Sequence, residues 1–140
     1  MDNQVTLIVT AVATGAGLVA AGWLLLHLAR RAAAGTLKRN QFAGIRTSVT
    51  LSSDAAWRAA HLAAEKDSIR GARGLIVGGV LSAVSGLLGF IGVPFSAAMT
   101  TFTVIALGSA AWLLVWTLRG AAVGKRAAMP VATETSNSSG

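Results

Sequence analysis

The chain has 140 residues, 54% of them hydrophobic and 12% charged, with a formal net charge of +7 and a mean hydropathy of +0.64. A soluble domain carries about 25% charged residues, so this composition excludes an ordinary soluble fold. Cysteine is absent, which removes disulfides and thiolate metal sites, and the two histidines, His27 and His61, lie too far apart for a metal site of the usual spacing.

In chain order, the first element is an uncharged run over residues 5–28. A spanning helix needs about 20 apolar residues, so this run makes one span. A secretory signal would carry a basic start and a shorter apolar core, whereas Met1-Asp2-Asn3-Gln4 is acidic and polar; the segment reads as a retained span. A polar loop over residues 29–74 follows. Residues 74–118 are then again free of Asp, Glu, Lys and Arg. As one helix that run would reach about 67 Å, twice the bilayer core. The Gly92-Val93-Pro94-Phe95 sequence supplies a turn, because proline removes a backbone donor and restricts its predecessor. The expected spans are therefore 75–91 and 96–118. Residues 127–140, polar and containing Pro130, read as a disordered tail. The fold class is an all-α membrane protein with three transmembrane helices, its long loop carrying a short amphipathic helix.

Basic residues near the span ends set the orientation. The long loop holds Arg30, Arg31, Lys38, Arg39, Arg46, Arg58, Lys66, Arg70 and Arg73 against Asp54, Glu65 and Asp67; Arg119, Lys125 and Arg126 follow the last span. The N-terminal tail and the turn at Pro94 carry no Lys or Arg. Every segment places the N-terminus outside and the loop and C-terminus in the cytoplasm. Trp23, Trp112 and Trp116 fall towards the cytoplasmic ends of the spans, the depth that indole favours.

The second span repeats small residues at Gly74, Gly78, Ser82 and Gly86, with further rows at Gly79 and Ala83 and at Ser85 and Gly89; the first carries Gly15, Gly17, Ala21 and Gly22. Such rows let helix backbones approach closely in lipid. They serve packing within the chain, which three helices need first, or a homo-oligomer as well. No Asp, Glu, Lys or Arg lies within a span, and His27 sits beside Arg30 at the headgroup end, which argues against ion or proton translocation.

The loop is the candidate site. Ser53 is a good N-cap, Asp54 suits the positive end of the helix dipole, and the following run to Asp67 is rich in alanine. Trp57, His61 and Ala64 fall on one face, and Asp54 can pair with Arg58 on another. Before this helix, Gly44 permits a tight turn, and Thr47, Thr50 and Ser52 place hydroxyls near Arg46. A guanidinium among hydroxyls can bind a phosphate or carboxylate; equally, these groups can satisfy backbone and helix ends. The basic loop also attracts anionic membrane lipids. Nucleotide-binding glycine loops, paired carboxylates and Ser-His-Asp arrangements are missing, so the chain reads as non-enzymatic, without cofactor, metal or nucleic-acid partner.

Asn40, Gly44-Ile45-Arg46-Thr47, Thr50-Leu51, Asp54, Ala56-Trp57 and His61, followed by an apolar hairpin, resemble the signature of the SdpI family of small bacterial membrane proteins over residues 38–118. Many relatives have a glycine shortly after the Asn/His position, where this chain has Ala64-Glu65-Lys66. The family is named for an immunity protein that protects against a secreted membrane-active peptide and holds a repressor at the membrane; this chain is similar to its short, three-span members. The resemblance implies a multi-pass protein of the bacterial cell membrane. It carries Asn40, Gly44, Arg46, Thr47, Thr50, Trp57 and His61 over as the positions that bind a protein or peptide partner or a lipid headgroup. The alternative is a structural subunit of a larger membrane complex, packed through Gly74, Gly78, Ser82 and Gly86.

Overall fold

The computed structural model describes residues 2–39, 42 and 44–137. Within them the chain is all-helical: α1 spans Asp2–Ala33, α2 spans Asp54–Ser85, a 3-10 turn covers Leu88–Ile91, and α3 spans Phe95–Asn137. Two helical stretches among the described residues, Asn3–Ala33 and Phe95–Glu134, are long and apolar enough to cross a membrane. Only 22% and 11% of their apolar windows are buried, so neither is the core helix of a soluble fold.

Three boundaries differ from the sequence-based expectation. The stretches expected as a loop helix and as the second span form one continuous helix, α2. Nothing between Asp54 and Ser85 breaks it: there is no proline, and alanine, the strongest helix former, is the commonest residue of its first half. At the far end α2 stops at Ser85 rather than near Ile91, and the chain tightens into the 3-10 turn. Gly92 then takes φ +84, its N–H reaching the carbonyls of Gly89 and Leu88. Pro94 stands just before α3, where its missing donor costs nothing, and its carbonyl accepts from Ala98 at 3.0 Å. Finally, α3 does not give way to an irregular tail at residue 127 but continues to Asn137, with Pro130 inside it. The cause is packing: Ala128 is fully buried in a cluster with Ala56 and Ala60, with Val49 and Ala132 against it.

The chain divides into two compact units. The first comprises Met1–Leu24 and Gly71–Leu114. Its helices meet through small residues. A Cβ on Gly15 would strike the Gly79 carbonyl, and one on Gly79 would strike that of Gly15, so these backbones are in direct contact. Gly22 lies on Ala72 and Ile76, and Gly86 on Ile8 and Ala11. Toward α3, Gly74 sits under the Trp112 indole and Gly78 against Ser109. Ser82 is fully buried, and its hydroxyl has no hydrogen-bond partner among the described residues. Ser85 donates to the Ser82 carbonyl at 2.7 Å.

The second unit comprises Leu25–Arg70 and Val115–Gly140. Its core is the alanine cluster just described, and it contains the polar loop as far as Arg70. Gly120 lies beside Ala64 and Asp67, while Gly124 is pressed against the Ala60 carbonyl and the Ile45 side chain.

Candidate functional site in the polar loop

Ser53 starts α2 by accepting the Ala56 N–H at 3.1 Å, which satisfies one of the orphan donors of the first turn. Asp54, the first helical residue, pairs with Arg39 at 3.2 Å rather than with Arg58. Arg39 also donates to the Leu51 carbonyl at 2.8 Å, so it ties the strand of loop before the turn to the start of α2. Arg58 instead lays its guanidinium over Gly35, whose φ of +73 ends the turn that follows α1.

The expected face of Trp57, His61 and Ala64 is buried. Trp57 is 2% exposed and donates from its indole N–H to the Leu37 carbonyl at 3.1 Å. Its ring and the His61 imidazole lie 4.2 Å apart between centroids, tilted by 41°. His61 Nε2 accepts the Ile45 N–H at 2.9 Å, and Nδ1 lies 2.8 Å from the Trp57 carbonyl. An amide can only donate and a carbonyl can only accept, so the ring is the neutral tautomer protonated at Nδ1. Burial holds its pKa below the ordinary value, outweighing a smaller upward pull from the Trp57 carbonyl.

Gly44 has φ +101, and a Cβ there would overlap the His61 ring. Glycine is therefore required twice, for its backbone angle and for the close approach of the imidazole. Thr50 is fully buried and closes the turn: its hydroxyl donates to the Ile45 carbonyl at 2.7 Å and accepts the Thr47 N–H at 2.9 Å. In return, Thr47 Oγ1 accepts the Thr50 N–H at 3.1 Å. Paired threonine caps of this kind replace the backbone partners that an irregular loop would otherwise leave unsatisfied.

The structure thus gathers Gly44, Thr47, Thr50, Trp57 and His61 into one interlocked turn. Arg46 rides on that turn as an exposed side chain, and Phe42 and Ser48, close to it in sequence, are exposed as well. Asn40 lies outside the described residues. Sequence reasoning missed the partners that are backbone atoms, namely the Ile45 amide and the Leu37 carbonyl, which no residue type reveals. It also missed Gly124, whose place against Ile45 and Ala60 depends on α3 running past residue 118. Gly74, Gly78, Ser82 and Gly86 belong to the other unit.

A second charged group lies at the end of the loop. Asp67 is 7% exposed and pairs with Arg70 at 3.2 Å and with Arg119 at 3.3 Å. Both guanidiniums also stand over the Trp116 indole, at 5.0 and 5.2 Å from its centroid.

Comparison with curated proteins and with solved structures gives no match. Residues 36–119 match the SdpI/YfhL protein family, a stretch that contains the whole interlocked turn, α2 and the apolar part of α3. The chain belongs to the SdpI/YfhL protein family.

Proposed function

We propose that this is a non-enzymatic, three-span SdpI-type protein of the bacterial cell membrane, of the immunity or signalling kind, whose cytoplasmic loop captures a protein or peptide partner through Arg46. The basic residues of the loop, set against an N-terminal tail without Lys or Arg, support a loop on the cytoplasmic side. The observation that carries the reading is the division of labour within the motif. Gly44, Thr47, Thr50, Trp57 and His61 build the turn through contacts with one another and with nearby backbone, and the Arg46 side chain on that turn is exposed to solvent. An exposed guanidinium on a braced turn suits a carboxylate or phosphate of a partner, because its planar fork matches such groups with two parallel bonds.

A purely structural subunit packed through its small-residue faces is less well supported. Gly74 and Gly78 already meet Trp112 and Ser109 of the same chain, and Gly86 meets Ile8 and Ala11.

The test is Arg46→Ala in the full chain, expressed in the native host and cross-linked before mild extraction. Partner capture, or protection from the challenging peptide, should fall at least tenfold, the scale of a charge-assisted pair. Helicity and membrane insertion should not change. Undiminished capture by the variant would sink the reading.

A further inference from the structure

Arg70, Arg119, Trp116 and Asp67 are not used by the Arg46 turn, and their chemistry suits a different ligand. We propose that they form a clamp for the phosphate of an anionic phospholipid headgroup, with Arg70 and Arg119 as the two jaws.

Three observations lead there. First, the jaws are pre-set. The buried Asp67 carboxylate holds the Arg70 Nη1 group on Oδ1 and Arg119 Nε on Oδ2, and the Trp116 face underlies both guanidiniums. A guanidinium has five N–H donors, more than a single carboxylate oxygen takes up. Second, the group carries surplus positive charge. Two cations face one carboxylate, and the arginine side chains remain 53% and 62% exposed while Asp67 is covered.

Third, the position selects a lipid over a soluble anion. Arg70 stands just before, and Arg119 just after, the uncharged stretch 74–118, and Trp116 is the kind of ring that settles at headgroup depth. On the same stretch of α3, Val115 and Leu118 are 60% and 61% exposed. Val115 lies one turn before Arg119 on the same face of α3, where it offers apolar surface to an acyl chain whose phosphate sits on the arginines. A free phosphate would gain nothing from that surface.

The test uses the full chain in nanodiscs of phosphatidylcholine with a minor fraction of phosphatidylglycerol, followed by gentle release and native mass spectrometry. The wild type should retain phosphatidylglycerol. Arg70→Gln with Arg119→Gln should lower that retention about tenfold or more, the scale of charge-assisted hydrogen bonds to a phosphate. The pair Arg30→Gln and Arg31→Gln removes the same charge from the end of α1 and should lower it far less. Equal losses in the two double variants would show generic attraction and overturn the proposal, as would wild-type retention by the first. Should Arg70→Gln with Arg119→Gln not fold, Arg119→Lys decides. It keeps the charge but loses the fork, so retention should drop severalfold, and unchanged retention overturns the clamp. Inorganic phosphate in large excess should leave the lipid bound; if it displaces the lipid, the occupant is a free anion. None of these variants touches Arg46, so the clamp and the partner-binding turn stand or fall separately.

Discussion

His61 Nε2 accepts the Ile45 amide proton at 2.9 Å, across sixteen residues of chain, and so fastens the turn of the loop to the first half of α2. The bond needs a bare ring nitrogen and a glycine beside it. Both requirements can be tested.

Gly44→Ala should disrupt the turn without affecting the apolar helices. The new methyl would have to occupy space held by the His61 ring, at a φ of +101 that alanine rarely adopts. Strain of that kind costs about 1–3 kcal/mol, and loss of the buried hydrogen bond adds to it. Hydrogen exchange should show the Ile45 and Thr47 amides deprotected while those of α1 are unaltered. Full protection in the variant would contradict the geometry.

Acid should loosen the same fastening. The folded pKa of His61 lies below its ordinary value of about 6.5, so between the two values the unfolded chain binds more protons than the folded one. The stability from neutral His61 is therefore complete above about pH 6.5 and declines as pH falls from there toward the folded pKa. Protonated Nε2 would also point a donor at the Ile45 donor. Thermal unfolding in detergent between pH 7.5 and 5.5 should show a loss that His61→Asn abolishes, since asparagine does not titrate. An equal slope in that variant would assign the effect to other groups.

Two glycines of the apolar helices should respond in opposite directions. Gly17 has open space where a Cβ would go, so Gly17→Ala should stabilise α1 by about 0.5–1 kcal/mol through helix propensity. Gly78→Ala would drive a methyl into the Ser109 side chain and should cost about 1–3 kcal/mol. Combining it with Ser109→Gly should recover much of that loss, a coupling that a double-mutant cycle reads directly.

The absence of cysteine makes orientation simple to measure. Ser48→Cys on the loop and Ser96→Cys at the start of α3 are both at exposed positions. In intact cells a membrane-impermeant maleimide should label position 96 and spare position 48 until the membrane is permeabilised. The reverse pattern would invert the proposed topology, and labelling of both in intact cells would remove the hairpin.

The apolar helices were legible because charge depletion over tens of residues has few other meanings, and the break at Gly92-Pro94 because those residues restrict the backbone directly. The site was legible as a set of residues but not as a set of roles. Hydroxyls beside Arg46 read equally well as an oxyanion cradle or as internal caps; Thr47 and Thr50 cap each other and the Ile45 carbonyl. Asp54 chose Arg39 over Arg58, a partner fixed by the path of the loop rather than by helical spacing. The continuity of α2 was hidden because composition changes sharply near residue 74 while helix propensity does not. Polar residues over 127–137 suggested disorder, yet Ala128 and Ala132 share the spacing that lets a helix pack on Ala56 and Ala60.

That last contact bears on what the family segment amounts to. The matched stretch ends at residue 119, but Gly124, pressed on Ile45 and Ala60, and Ala128, seated on Ala56 and Ala60, lie beyond it. The recognisable motif therefore borrows its foundation from sequence that the family pattern does not describe. A fragment cut to the matched boundaries would keep every signature residue and lose the wall they lean on. Relatives that differ after this point are free to set the same turn on a different footing, and so to aim the same arginine elsewhere.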